Sequence, residues 1–320
     1  MKTKSNDNPN IWRRKSKFVP RLFLFLAICT VVTVGSVITY KLVSKKIKNS
    51  PTVTALYDRW KKYDYESVYN ISGQILNKSP LHNTARTFRG FSSFYLAVSQ
   101  TDNTISQNYL DEAINNIRIA LQTSKESNIP QLQYMLGKTY FFKDKMSSYH
   151  YYADLAIEYL LKAQKNHYVA DDIPNFLGIS YAALGRRQES ISALTEALIK
   201  KESDSVLLSI AEQYYLNGQA ETAKQYLFRA NNLSQNQDIL TRSHTILGQI
   251  YTDEKKYKDA ENEFNNILKM NENSADAHFG LGVLYEQQGD MVKARSEWRR
   301  ALRLQVNHPG ATQKMAESWK

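Results

Sequence analysis

A single cysteine, Cys29, stands among 320 residues, which excludes an intramolecular disulfide and any zinc site built on cysteines. The six histidines show no His-x3-His or comparable ligand spacing, so no metal is expected. Catalytic motifs are missing too. The chain has no Gly-x-Ser-x-Gly, no phosphate-binding glycine loop, no His-Glu-x2-His and no Ser/His/Asp set that spacing brings together. Neither an enzyme nor a bound cofactor is expected. Acidic residues are almost absent from the first 62 positions, which carry 14 Lys and Arg against 2 acids. The remainder is balanced at 28 against 29, so the net charge of +11 belongs to the N-terminal segment alone. With no basic groove to collect phosphates, nucleic acid is not an expected partner.

Charge of either sign is absent from Leu22 to Tyr40. As a helix these 19 residues span about 28 Å, close to the hydrocarbon thickness of a bilayer. Lys2, Lys4, Arg13, Arg14, Lys15, Lys17 and Arg21 precede the run, and Lys41, Lys45, Lys46 and Lys48 follow it. The heavier basic flank favours a cytoplasmic N-terminus. Val34-Gly35-Ser36 makes a poor cleavage site, and Leu26-Ala27-Ile28-Cys29 is only a faint lipobox because a bulky Ile precedes the cysteine. The expectation is an uncleaved signal anchor over 22–40, after a basic cytoplasmic tail (1–21) and before a linker (41–49). That places a single-pass protein in a bacterial inner membrane, its remaining domain in the periplasm.

The rest of the chain repeats itself. His244, Leu247, Gly248, Tyr251, Ala260 and Phe264 recur as His278, Leu281, Gly282, Tyr285, Ala294 and Trp298, each displaced by 34 positions. Such a period predicts stacked pairs of short helices, with a turn at Lys255 or Gly289 between the two helices of a pair. Gly248 and Gly282 fall mid-helix, where glycine costs about 1 kcal/mol against alanine, so they are expected to let the partner helix approach. His244 and His278 are expected to be half-buried packing residues.

The motif resembles that of the tetratricopeptide repeat family, a Trp-x2-Leu-Gly-x2-Tyr helix followed by an Ala-x3-Phe-x2-Ala helix. Leu177, Gly178, Tyr181, Gly185, Leu194 and Ala197 match a further unit, and Ile210, Ala211, Tyr214, Gly218, Ala223, Leu227 and Ala230 another. Four tandem units over 171–308 result, preceded by degenerate units over 50–170 and followed by a capping helix over 309–320 with Ala311, Met315 and Trp319 on one face. Upstream, Leu136, Gly137 and Tyr140 open a unit whose partner helix comes late, so 141–152 reads as an insertion. The motif's Trp is replaced by His244 and His278 and its late Pro by Glu272 and Val306, which predicts looser unit ends. The resemblance implies an all-α, right-handed solenoid of antiparallel helix pairs.

In that family the first helices line a concave groove that takes a peptide or folded partner. Carried over, the groove-facing positions are Tyr134, Lys138, Phe141, Phe142, Asn175, Ile179, Leu208, Glu212, Tyr215, Thr245, Gln249, Phe279 and Val283. Rigid aromatics are typical anchors; the rival placement packs Tyr134, Phe141 and Phe142 under the insertion. The Lys/Arg-x3-Asn clamp for acidic chaperone tails is not matched by Arg89/Ser93, Tyr134/Lys138, Asn175/Ile179, Leu208/Glu212, Thr245/Gln249 or Phe279/Val283. The expected function is a membrane-tethered scaffold for protein partners in envelope assembly, secretion or a motility complex. A holdase for translocating or periplasmic chains and a regulatory subunit of a membrane enzyme are the alternatives.

Overall fold

The computed structural model describes residues 32–41, 51–147 and 149–318. Apart from one short 3-10 turn, every element among them is an α-helix. Two compact units divide the chain, Met1–Pro80 and Leu81–Lys320. This division falls inside the stretch 50–170 expected to hold degenerate repeats.

In the first unit, residues 32–41 form α1, followed by α2 (Val53–Trp60) and α3 (Tyr65–Lys78). α1 exposes Val32, Val34, Val37, Ile38 and Tyr40. Its Ser36 and Thr39 hydroxyls donate back to the carbonyls of Val32 and Gly35, at 2.6 and 2.8 Å. Among the described residues no helix is long and apolar enough to cross a membrane; residues 22–31 of the expected span lie outside the described residues. Asp64 ends the α2–α3 turn by accepting from the Ser67 N–H and pairing with Arg59 at 2.9 Å, and Leu56, Val68, Ile71 and Ile75 are buried. These helices open the stretch 50–170 where degenerate repeats are expected, but α2 has only 8 residues.

The second unit is a run of helix pairs: α4 (Asn83–Val98) with α5 (Asn103–Thr123), α6 (Ile129–Lys145) with α7 (Ala153–Lys165), α8 (Ile173–Ala183) with α9 (Arg187–Lys200), and α10 (Asp204–Leu216) with α11 (Ala220–Leu233). Then come α12 (Gln237–Asp253) with α13 (Tyr257–Met270), α14 (Ala275–Gln287) with α15 (Met291–Leu304), and a single α16 (Pro309–Glu317). Helix starts carry their own signals. His82, Asp102, Ser203, Asn236, Ser274, Asp290 and His308 accept a first-turn N–H through the side chain, while α6 and α8 open on Pro130 and Pro174.

The last four pairs turn on one recurring device. Gly185, Gly218, Lys255 and Gly289 take φ of 70, 75, 59 and 84°. The next residue's N–H returns to the carbonyl of the motif tyrosine five positions back, at Tyr181, Tyr214, Tyr251 and Tyr285. These are the left-handed C′ residue and the 6→1 bond of a Schellman ending. The mid-helix glycines serve the contact within a pair: a Cβ on Gly248 would lie 2.7 Å from Cζ of Phe264, itself only 1% exposed.

The core runs linearly along the array. Leu194 and Ala197 of α9 pack with Val206 and Ile210 of α10, and Ala223 and Leu227 of α11 with Ile246, Leu247 and Ile250 of α12. Ala260, Phe264 and Ile267 of α13 likewise meet Ala277, Leu281 and Leu284 of α14. Every second helix thus buries its apolar face partly against the next pair, so no pair has a complete core by itself. α16 repeats the arrangement at the end: Ala311, fully buried, joins Ala294, Trp298 and Ala301, with Met315 packed alongside. Trp319 lies outside the described residues.

Two expectations change. The insertion is partly helix, because α6 continues to Lys145. The loop after it is pinned by Asp144, whose carboxylate faces His150 Nδ1 at 2.8 Å and accepts the Tyr152 N–H at 3.0 Å. The unit ends at Glu272 and Val306 are closed rather than loose: Ser274 N donates to Asn271 O at 3.2 Å, and His308 N to Gln305 O at 3.0 Å.

Candidate functional site

The candidate residues fall into two environments. At α6 they are drawn into the contact with neighbouring pairs. The Tyr134 hydroxyl donates to the Asp172 carboxylate at 2.7 Å, and its ring stacks on Tyr168 at 4.8 Å. Lys138 Nζ donates to the same carboxylate at 3.0 Å and lies 5.2 Å from the centre of the Phe176 ring, 5.4 Å from Tyr134 and 5.9 Å from Phe94. An ammonium enclosed this way gains about 0.5–2 kcal/mol from the rings. Phe141 rests on Phe176 at 4.6 Å and Phe142 meets Phe94 edge-on at 5.4 Å. Burial, then the Asp172 charge, holds the Tyr134 hydroxyl far above the ordinary phenol value.

Tyr134 and Phe141 are buried, at 8% and 6% exposure, so they are not free anchors. Their partners also differ from the rival placement. Phe94 on α4 and Phe176 on α8 enclose the aromatic side of α6, because the array stacks these first helices side by side. Tyr134, Lys138, Phe141 and Phe142 therefore form a lock between three consecutive pairs.

From α8 onward the same face opens. Asn175 is half-buried and Ile179 is exposed; Leu208 packs on the α11–α12 core; Glu212 accepts from Arg242 Nε at 2.7 Å. Beyond them lies a groove of about 690 Å³ between α12 and α14. Five expected residues line it: Tyr215, Thr245, Gln249, Phe279 and Val283. Its floor is apolar, since Gly280 leaves room for the Phe264 ring, which a Cβ there would meet. Phe279 tilts onto the His308 ring at 4.9 Å and, with Pro309 and Gly310, forms one wall. His308 is fixed on both nitrogens. Its Nδ1 accepts the Ala311 N–H at 3.1 Å, so Nε2 carries the proton and donates to Asp276 Oδ1 at 3.0 Å. Burial, then Asp253, raises the Tyr215 hydroxyl above its ordinary value.

The motif positions did not include Asp238, Thr241, Arg242, Thr252, Asp253 and Asp276, which also line the groove. Helical spacing carries the signal: 238, 242, 245, 249 and 252 climb one face of α12 in steps of three and four. His244 and His278 are half-buried as expected, and each Nδ1 hydrogen-bonds a glutamate of the partner helix, Glu263 at 2.5 Å and Glu297 at 2.6 Å. Among the described residues no group of three or more His, Cys, Asp or Glu is placed to hold a metal ion.

With this geometry in view, residues 157–318 match the model of the tetratricopeptide repeat protein 21 C-terminal ARM domain. The chain belongs to this family. The tetratricopeptide-like array extends well beyond that match. The chain is similar to the C-terminal part of a TPR repeat-containing protein from Cytophaga hutchinsonii, at 14% identity and a TM-score of 0.57, over 82% of this chain and 98% of that one. It is also similar to a chain of the APC/C hetero-tetramer Cut9-Hcn1, at 15% identity and a TM-score of 0.53, over 84% of this chain and 48% of that one. No curated protein matches the sequence. A repeat fold of this kind typically offers an extended surface for protein interaction.

Proposed function

We propose that this tetratricopeptide-like chain is a membrane-tethered scaffold that holds a protein partner in the groove between α12 and α14. The observation that carries it is the groove itself, a cavity of about 690 Å³ with an apolar floor and hydrogen-bonding walls, open on the face where Thr245 and Gln249 stand. Rigid first helices present these groups, as a docking surface requires. The mixed lining favours one defined partner over the holdase alternative, since a holder of unrelated apolar segments needs a broadly apolar surface. The tether is the uncharged run from Leu22 to Tyr40. Support comes from α1, whose large apolar side chains are exposed and whose Ser36 and Thr39 hydroxyls are satisfied within the helix, as lipid demands. The basic flanks orient the N-terminus to the cytoplasm of a bacterial inner membrane, with the array on the periplasmic side.

Crosslinked capture from membranes tests the proposal, comparing the native chain with Gln249→Trp and Val283→Asp. One stoichiometric partner, lost in both variants while circular dichroism stays native, is the expected result. A broad set of captured chains supports the holdase, a single captured enzyme the regulatory subunit, and capture unchanged in both variants removes the groove as the site. Carbonate extraction tests the tether: recovery of the chain in the soluble fraction overturns it.

A further inference from the structure

Charge in the groove is one-sided. Asp238, Asp253 and Asp276 line it, against a single guanidinium, Arg242, whose Nε is 2.7 Å from Glu212. His308 supplies a hydrogen bond to Asp276 without offsetting Asp238 or Asp253. The carboxylates are also sorted by position. Asp238 and Asp276 lie in the first turns of neighbouring first helices and together line an adjoining pocket of about 460 Å³. Asp253 is the last residue of α12, at the other end of the groove. Between Asp238 and Asp253 the helix rises about 22 Å. Thr245, Gln249, Phe279 and Val283 occupy this middle stretch, which is amide and hydroxyl on one wall and apolar on the other.

Extended backbone covers that distance in about six or seven residues. We propose that the groove takes an extended segment of a partner protein carrying two basic residues about six or seven positions apart, with an apolar side chain midway. The proposal rests on the groove being the partner site. In it, the outer cations meet Asp238 with Asp276 at one end and Asp253 at the other, and the central side chain enters above Phe279 and Val283. Thr245 and Gln249 face the segment's backbone.

The test uses the full-length chain and labelled nine-residue peptides: Lys at positions 2 and 8 with Leu at 5 in a Ser background, the same peptide with both Lys replaced by Glu, one with the two Lys adjacent, and one with Leu replaced by Ser. A fifth probe copies residues 41–48 of the chain, Lys-Leu-Val-Ser-Lys-Lys-Ile-Lys, in which Lys41 and Lys48 stand seven positions apart. The spaced-Lys peptide is expected to bind best, and more weakly as salt rises. Asp238→Asn with Asp276→Asn, and separately Asp253→Asn, are each expected to weaken it about threefold to tenfold, in line with rim charge pairs. Asn at 276 keeps the Oδ1 that accepts from His308 Nε2, so the charge is removed while the tie to α16 is retained. Equal binding of the Glu peptide, indifference to all the Asn changes, equal binding of the adjacent-Lys peptide, or no binding by any probe overturns the proposed chemistry. Tighter binding of the 41–48 copy assigns the groove to the chain's own linker and overturns an external partner. Loss of membrane capture in Gln249→Trp and Val283→Asp remains a separate result, so the partner site can stand when its chemistry fails.

Discussion

Lys255 occupies the position that glycine holds at 185, 218 and 289, with the same left-handed backbone, φ of 59°. Its Cβ crowds the following carbonyl there, and only glycine avoids that cost. Lys255→Gly is expected to raise the unfolding free energy read from urea titration by about 0.5–1 kcal/mol, and with it the midpoint, after allowing for the greater freedom of glycine in the unfolded chain. A lower midpoint would mean that the Lys side chain contributes more than its backbone costs. Tyr285 shows the other use of a motif residue. Its carbonyl closes the turn at Asp290, while its hydroxyl donates to Glu261 on the preceding helix at 2.8 Å. Burial, then that carboxylate, pushes the hydroxyl up to about 12. A raised phenol favours the protonated folded form, so its contribution is complete below the ordinary value of about 10 and is lost as pH climbs through about 12. Tyr285→Phe is therefore expected to be less stable at pH 8 and to lose stability less steeply over that alkaline window. Denaturant titrations at fixed pH values read both effects.

At the scale of elements, α16 completes the core that the last pair leaves open. Trp298 and Ala301 are fully buried in a cluster that Ala311 completes and Met315 packs against, and His308 ties the start of α16 to Asp276. Deleting Pro309–Lys320 is expected to lower the melting temperature and cause association at micromolar concentration, because an uncapped solenoid end is an apolar surface. A truncated chain that stays monodisperse with an unchanged melting temperature would remove the capping role. This element was legible from the i, i+4 spacing of Ala311 and Met315. Its contribution to a groove wall was not, since His308 reaches Phe279 only through the stacking of α14 on α16. The α6 aromatics show the opposite limit: motif position put Tyr134 and Phe141 on the groove face, yet Tyr168 and Asp172 close over the first and Phe176 packs on the second.

At the scale of the molecule, residues 81–320 form one compact unit whose core passes from pair to pair. A fragment of 81–320 is expected to be fully helical and to unfold cooperatively, because short-range contacts between adjacent pairs supply its stability. Loss of helical signal on removing 1–80 would show that the first unit is needed to hold the array.

What the sequence determined by itself is the part of the protein with a period: the helix pairs, the turns at Lys255 and Gly289, the close contacts at Gly248 and Gly282, and membership of a repeat family. These follow from local chemistry, where a left-handed residue or a missing Cβ reports its neighbour directly. Only the tertiary structure decided which candidate residues stay open. Tyr168 and Asp172 close over Tyr134 and Phe176 packs on Phe141, whereas Thr245 lines an open groove. The packing of α14 beside α12 likewise sets Asp276 next to Asp238 at one end of the groove, with Asp253 at the other.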